Sequence, residues 1–250
     1  MIGGSIMSEP KRFSHFHLYK NAGSSVIRVF SETFGKSAIA EIDKYGDFTE
    51  AKRHTLGITR EAFSANPGLR MVSSHRMVLD TAPDGGFFPI PVILLRHPIQ
   101  RLVSTYRFER RSAFHQHLAS AQAARALPLN AWLEWAAEQP GLCNYQTQHL
   151  AWGWAGEGST GLLTGAMARL QLMKKHGVVG VVEDWNGFIQ KLSSVETAID
   201  RAKATTIEEN SSPSSNYADI HESVISKIEE RNQADIALWV EAGGDSTISA

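Results

Sequence analysis

The chain has 250 residues, of which 42% are hydrophobic and 20% charged, so it is long enough to bury the core of one sizeable α/β domain. The formal net charge of −1 gives no overall field that would draw the protein to nucleic acid or to an anionic membrane, and we expect neither partner. The single cysteine, Cys143, excludes a disulfide bond within the chain and indicates a buried, inert thiol.

The N-terminal residues do not show the charged segment and apolar run that are typical of a secretory signal. No stretch has the roughly 20 apolar residues that a helix needs to span a bilayer. We therefore expect a cytoplasmic protein without a membrane span. Residues 1–250 are predicted to form one domain, with residues 1–11 as a flexible tail.

The first predicted strand, residues 13–19, leads into a turn of small residues and then into a helix at residues 25–34. A strand, a tight turn and a helix start direct several backbone N–H groups to one point, which suits a phosphate. The candidate ligands in this turn are Lys20, Asn21, Ala22, Gly23, Ser24 and Ser25. The stretch lacks the Gly-Lys-Ser/Thr sequence of a Walker A loop, and an ordinary strand-to-helix turn is the alternative for it.

Three further apolar runs predict strands at residues 69–74, 91–95 and 178–182. Segments of helical periodicity separate the strands. Helices are predicted at residues 59–63, from 98 onward, from 128 onward, at 162–175 and after 184, and residues 119–127 are predicted to be a helix or a mobile connection.

The C-terminal part is predicted to form one long helix, which Asp219 caps and which ends at Gly243. Residues that favour turns predict loops at 80–86 and 210–216. Two segments fit no clear pattern: most of residues 36–66, and residues 144–154.

The four predicted strands end in, or are directly followed by, polar side chains, which are Lys20, His75, Arg96 and Glu183. Alternating strands and helices indicate a parallel sheet, and ligands of such sheets bind beyond the carboxyl ends of the strands. We therefore expect these side chains at one edge. Arg96 and Ser104 suit a phosphate, with a surface salt bridge and a helix-surface serine as alternatives. Separate anion sites at Lys20 and Arg96 predict a ligand with two anionic groups held apart.

Residues 17–25, His-Leu-Tyr-Lys-Asn-Ala-Gly-Ser-Ser, resemble the 5′-phosphosulfate loop of carbohydrate-type sulfotransferases, H-x-P-K-T-x-G-T-S. Residues 95–106 are similar to the 3′-phosphate motif of that family, L-R-D-P-x-x-R-x-x-S-x-Y. Shorter matches follow in the same order: Ser74-His75 with a Gly-His element, residues 144–148 with N-x-Q-T, residues 181–184 with the V-x-E strand end, and residues 210–212 and 232–235 with the C-terminal pattern. The resemblance covers roughly residues 13–240 and is closest to the heparan sulfate and chondroitin O-sulfotransferases.

The resemblance implies a P-loop-like, three-layer α/β/α fold with a central parallel sheet and additional helices. It implies 3′-phosphoadenylyl sulfate (PAPS) as the sulfuryl donor, adenosine 3′,5′-bisphosphate (PAP) as the product, no metal, and an alcohol or glycan as the acceptor. The chain departs from the family at Tyr19, Asn21 and His97, where Pro, Thr and Asp are usual. These departures remove no cation that the donor needs, and they leave the acceptor and the oligomeric state open.

The resemblance also suggests roles for individual side chains. Lys20 is expected to stabilise the leaving phosphate, and His75 to be the base that takes the acceptor proton. A structural histidine at a strand end is the alternative for His75. We expect His17 to pack against or orient Lys20, and Glu183 to be a second acid–base group, a cap or a salt-bridge partner.

Four arginines could line a groove for an acidic sugar or form a solvated helix face: Arg76, Arg107, Arg110 and Arg111. The loop at residues 211–217 is expected to close over the nucleotide, as the corresponding loop does in the relatives. His115 and His117 lack partners at metal-ligand spacing, so we assign no metal.

Two alternatives remain beside the sulfotransferase. The first is a nucleotide-dependent kinase of P-loop type, which would need Mg²⁺ and a site for the ATP γ-phosphate, although the chain has neither Walker motif. The second is a module that binds the nucleotide but has lost catalysis. Metal dependence of the activity separates the first alternative, and tight PAP binding without transfer would identify the second.

Overall fold

A computed structural model describes residues 10–42, 56–79, 88–113, 115–153, 158–207 and 219–245. Five strands in these ranges form one parallel sheet: β1 Phe13–Phe16, β2 Ile39–Glu41, β3 Met71–Ser74, β4 Ile90–Leu95 and β5 Val178–Val181. Their order across the sheet is β2-β3-β1-β4-β5. The prediction of an α/β protein with a central parallel sheet is confirmed.

Within the same ranges, eleven α-helices follow or precede the strands. They are α1 Gly23–Phe34, α2 Leu56–Ala65, α3 Pro98–Arg111, α4 Ala119–Ala126, α5 Leu129–Ala136, α6 Tyr145–Leu150, α7 Gly158–His176, α8 Trp185–Val195, α9 Arg201–Thr205, α10 Glu222–Arg231 and α11 Gln233–Glu241. Because a parallel strand must be reached by a crossover, the connecting helices fall on the faces of the sheet.

Apolar side chains cover both faces of the sheet. Along β4, Val92 and Leu94 belong to one buried cluster, whereas Ile93 and Leu95 belong to another, as the two-residue period of a strand requires. Helices α1, α8 and α9 contribute to the first cluster, and α2, α6, α7 and α11 contribute to the second. This arrangement is compatible with three α/β/α layers. A third cluster joins α3, α4, α5 and α10.

Two element boundaries near the N-terminus differ from the sequence-based expectation. β1 ends at Phe16 rather than at residue 19, because the Leu18 N–H turns back to the Phe16 carbonyl at 3.0 Å. Helix α1 begins at Gly23, two residues earlier than predicted. Strand β2 was not predicted, since its three residues are all only partly buried and give no apolar run.

The prediction of one long C-terminal helix capped by Asp219 is wrong. The structure has two helices, α10 and α11, and the N-cap position of α10 belongs to His221. The break falls at Asn232, whose Nδ2 donates to the Ile228 carbonyl at 2.8 Å. A short amide side chain of this kind competes with backbone hydrogen bonding and favours the end of a helix.

Some predicted segments lie outside the described residues. These are residues 1–9 of the tail, the loop at 80–86 and the loop at 211–217 that is expected to close over a nucleotide. Across the part of the chain that is described, no helix combines the length and the apolar character needed to cross a bilayer.

Candidate functional site

The order of the strands places a crevice between β1 and β4. The chain leaves β1 toward β2 on one side and leaves β4 toward β5 on the other, so the direction of the connections changes between these neighbours. In open α/β sheets, ligands bind beyond the carboxyl ends of the strands at such a switch point. The turn after β1 and the residue after β4, Arg96, therefore lie where a ligand is expected.

The backbone of the turn after β1 adopts conformations that residues other than glycine rarely take. In the described residues, positive φ angles at non-glycine positions occur at Lys20 (66°), Ala22 (56°) and Asn144 (48°). Each such position costs about 1–3 kcal/mol and persists only where the surrounding structure enforces it, often at a functional site. Two of these three positions, Lys20 and Ala22, lie in the turn itself.

At the start of α1 the N–H groups of Ser25 and Val26 donate to the Ala22 carbonyl at 3.0 and 3.2 Å, so those of Gly23 and Ser24 are the candidate donors to a ligand. Ala22 is the N-cap and has no side-chain acceptor, so no side chain caps the helix. The first N–H groups of a helix have no acceptor within it, and together with the helix dipole they attract an anion. Ser24 is exposed beside them, whereas Ser25 is only 4% exposed.

The side chain of Asn21 links the turn to neighbouring parts of the protein. Its side chain is buried, and Nδ2 donates to the Leu94 carbonyl at 2.9 Å and to Gln146 Oε1 at 2.7 Å. Its backbone N–H donates to the Leu18 carbonyl at 3.2 Å. The amide therefore fixes the turn to the end of β4, and its donors are used within the protein.

The ammonium group of Lys20 rests on aromatic rings. Nζ lies 4.0 Å from the ring centroid of Phe108 and 5.8 Å from that of Tyr19. Burial, helped by the positive charges of Arg96 and Arg111 and opposed by Glu109, lowers the pKa of Lys20 to about 8. Because burial removes part of the hydration of this ammonium group, binding of an anion next to it would stabilise its charged form.

Arg96 is tied to the same turn. Its Nη1 donates to the Lys20 carbonyl at 3.1 Å, and its backbone N–H donates to Gln146 Oε1 at 2.9 Å. The structure thus brings Lys20 and Arg96 together and links them through this hydrogen bond. Ser104 lies eight residues further along, in α3, and is only 6% exposed.

His75 stands at the end of β3 in a row of imidazole rings. The ring of His17 stacks on it with centroids 3.9 Å apart, and the ring of His15 stacks on that of His17 at 5.1 Å. The Nδ1 of His15 is 2.9 Å from the hydroxyl of Ser73, its partner across the sheet. Burial, followed by repulsion from His75, lowers the pKa of His15 to about 3.

His17 faces the catalytic candidate His75 as well as the turn. Burial, repulsion from His15 and His75, and to a smaller extent repulsion from Lys20, lower the pKa of His17 far below its ordinary value. The ring is therefore neutral at physiological pH. The sequence suggested that His17 packs against or orients Lys20, and the structure shows its ring stacked on His75.

Two segments that are distant in sequence hold this edge in place. Asp235 is fully buried, and its carboxylate accepts from the backbone N–H groups of Gln146 and Thr147 at 3.1 and 2.8 Å. Gln146 in turn donates through Nε2 to the Arg96 carbonyl at 2.9 Å. The periodicity of the sequence gave no indication of this network, although the short matches at residues 144–148 and 232–235 marked its members.

Both carboxylate oxygens of Glu183 accept hydrogen bonds from groups of the protein. Its Oε1 accepts from the His97 backbone N–H at 2.9 Å and its Oε2 accepts from Trp239 Nε1 at 2.9 Å. Of the three options that the sequence left for Glu183, the contacts match a cap, because His97 is the N-cap residue of α3. His97 stands where the resemblance expects Asp, and burial lowers its pKa to about 4.

The arginines of α3 divide into different environments. Arg110 donates to the Tyr106 hydroxyl at 2.5 Å and to the Leu127 carbonyl at 3.3 Å, which fixes it against the end of α4. Arg111 is exposed and donates to the Arg107 carbonyl at 3.0 Å. Arg76, beyond β3, is 9% exposed.

In the ranges that are described, no group of three or more His, Cys, Asp or Glu side chains is arranged to hold a metal ion.

The chain is similar in sequence to a known protein. No protein-family model matches the chain. A protein of Archaeoglobus fulgidus, described as an uncharacterized protein, is 26% identical over 243 residues, which cover 90% of this chain and 93% of the relative. The chain is therefore similar along nearly its whole length to a protein from an archaeon.

Proposed function

We propose that the protein is a sulfotransferase that moves a sulfuryl group from PAPS to a hydroxyl of an acceptor, which we take to be a carbohydrate. The observation that carries the proposal is the turn at residues 17–25. Its strained backbone, uncapped helix start and half-buried Lys20 lie at the switch point of a parallel sheet. This combination suits a phosphate-bearing ligand.

The surroundings of the turn support the same assignment. The segments that resemble the sulfotransferase motifs contact one another: Asn21 and Arg96 both bind Gln146, and Gln146 binds Asp235. His75 lies across β1 from Arg96, because β1 pairs with β3 on one side and with β4 on the other. His75 on one side of the turn suits the acceptor, Lys20 in the turn suits the leaving phosphate, and Arg96 on the other side suits the 3′-phosphate.

The proposed reaction is an in-line displacement at sulfur. The acceptor oxygen forms a bond to sulfur, the bond between sulfur and the 5′-phosphate oxygen of PAPS breaks, and the acceptor proton passes to His75. Lys20 and the N–H groups at the start of α1 stabilise the charge that develops on the leaving phosphate. A positioned base such as His75 contributes about 10²–10⁴-fold in rate.

The proposal is tested by incubating the purified protein with ³⁵S-labelled PAPS and a panel of glycans and simple alcohols. Lys20→Ala should lower transfer by about 10²–10³-fold, because the charge opposite the leaving group is lost. Lys175→Ala is the matched control, since this exposed lysine lies in the last turn of α7, at the opposite edge of the sheet. Near-normal turnover by Lys20→Ala would refute the role of Lys20.

Calorimetry with PAP separates this proposal from its alternatives. Binding of PAP together with labelled product supports the sulfotransferase. Tight binding without transfer to any acceptor would instead identify an inactive nucleotide-binding module, and phosphoryl transfer from ATP that requires Mg²⁺ would identify a kinase.

A further inference from the structure

His17 occupies the space between the phosphate-type turn and the proposed base. On one side its ring stacks on His75, with centroids 3.9 Å apart and planes inclined by 29°. The Cδ2–Nε2 edge of the ring lies directly against Gly23, the first residue of α1. A single side chain thus contacts both the site for the leaving group and the residue proposed to take the proton.

Gly23 is required here for space. A Cβ atom added at Gly23 would lie 2.0 Å from Cδ2 and 2.2 Å from Nε2 of the His17 ring. The φ angle of Gly23 is not among the positive ones, so an L residue can adopt its backbone conformation. Alanine at this position would therefore act mainly by pushing the ring of His17.

A second imidazole ring, that of His15, also packs against His17. His15 stacks on it at 5.1 Å with planes inclined by 25°, and His15 is held by the Ser73 hydroxyl on β3. Because β1 and β3 are paired in register, the row of rings is anchored to the sheet at both His15 and Ser73. The ring of His17 therefore stacks on both His15 and His75.

We propose that His17 is a positioning residue, which sets the ring plane of His75 and transmits to it any displacement of the turn at Gly23. The proposal rests on the proposed function for the identity of His75 as the base. The contact between the three residues does not depend on that identity.

The first test is a double-mutant cycle between Gly23→Ala and His17→Ala, followed by the imidazole NMR signals of His75. In the otherwise unchanged protein, Gly23→Ala should shift the ring signals of His75, because the new methyl group displaces His17. In the His17→Ala background, Gly23→Ala should leave those signals unchanged, since the methyl group now has room. Residues in contact show such non-additive effects, whereas independent residues do not.

The second test uses a conservative variant. His17→Phe keeps a flat ring between Gly23 and His75 and should retain the ring-current shift of the His75 signals, whereas His17→Ala should lose it. Turnover should fall by about 10²-fold in His17→Ala with little change in PAP affinity, and His17→Phe should recover most of it. His176→Phe is the control, because this histidine ends α7 at the opposite edge of the sheet.

The outcomes distinguish failure of this inference from failure of the proposed function. If Gly23→Ala shifts the His75 signals equally with and without the His17 ring, the positioning role is wrong, whatever the protein catalyses. If the cycle is non-additive but PAP does not bind and no transfer occurs, the positioning contact is real and the sulfotransferase assignment fails. If His17→Ala does not fold, His17→Phe and Gly23→Ala alone decide, and a Gly23→Ala variant with unchanged His75 signals overturns the inference.

Discussion

The side-chain amide of Asn21 donates a hydrogen bond to Gln146 Oε1 at 2.7 Å, although 125 residues separate them in the chain. The same oxygen accepts the backbone N–H of Arg96 at 2.9 Å. One buried glutamine therefore joins the turn after β1 to the end of β4. Because Asp235 holds Gln146 from the other side, the position of both cations depends on α6 and α11.

Replacing Gln146 should destabilise the protein and weaken ligand binding together. Gln146→Leu leaves the Asn21 amide and the Arg96 backbone groups without their partner in a buried place. Each unsatisfied buried group costs about 1–3 kcal/mol, so we expect a total loss of about 3 kcal/mol or more in the free energy of unfolding. Urea denaturation measures this loss, and calorimetry with PAP measures the weaker binding.

Gln148→Leu is the matched control for this prediction. Gln148 lies two residues further along α6, is exposed, and donates to the Pro140 and Cys143 carbonyls. Its replacement should cost less than that of Gln146 and leave PAP affinity unchanged. Equal losses of stability in the two variants would show that burial of the Gln146 network has no special importance.

The affinity for PAP should fall as the pH rises above about 8. Burial and the neighbouring charges of Arg96 and Arg111 lower the pKa of Lys20 to about 8, with Glu109 acting in the opposite direction. Only the protonated amine attracts a phosphate, and a bound phosphate raises the pKa of that amine. Below this pKa the charge is already present. Above it the free protein must take up a proton to bind, so affinity should fall by up to about tenfold per pH unit.

Calorimetry with PAP between pH 7 and pH 10 measures this dependence. Lys20→Arg is the control, because a guanidinium stays protonated throughout the range and its affinity profile should be flat. The same decline in both proteins would assign the titration to a group other than Lys20.

Glu183→Gln should lower stability without removing catalysis. Both carboxylate oxygens of Glu183 accept hydrogen bonds, from the His97 N–H and from Trp239 Nε1. An amide presents an NH₂ group to one of these donors, and we expect a loss of about 1–3 kcal/mol in the free energy of unfolding. Thermal unfolding measures the loss, and transfer from labelled PAPS should continue below the melting temperature.

Asp184→Asn is the comparison for Glu183. Asp184 caps α8 by accepting from the Gly187 N–H at 3.0 Å, and asparagine is an equally good cap, so its stability should hardly change. A Glu183→Gln variant that keeps its stability but loses transfer by about 10²-fold or more would return Glu183 to the acid–base role.

Several elements could be predicted from the sequence because their causes are local. The run at residues 91–95 is apolar at every position, and it forms β4, which is buried on both faces. Helix α3 begins at Pro98, and proline favours the first turn of a helix. β2 escaped prediction because Ile39–Glu41 is too short for a pattern and is only partly buried.

The C-terminal helices show where local reasoning fails. The apolar spacing continues across Asn232, so the sequence predicts one helix, but the structure ends α10 there. Besides the bond from its Nδ2 to the Ile228 carbonyl of its own helix, Asn232 accepts through Oδ1 the N–H of Asn144, the N-cap of α6, at 2.9 Å. The break thus combines a local bond with a partner 88 residues away, and no periodicity records the distant partner.

The sequence by itself determined the α/β class, the parallel sheet and the arrival of Lys20, His75 and Arg96 at one edge, because apolar runs and strand ends follow from neighbouring residues. Only the tertiary structure decided what surrounds these side chains. Three contacts join residues that are 58, 88 and 125 positions apart in the chain. They are the stacking of His17 on His75, the cation–π contact of Lys20 with Phe108 and the hydrogen bond between Asn21 and Gln146. Such contacts arise from the packing of whole helices on the sheet, and the burial that shifts the pKa of Lys20 arises with them.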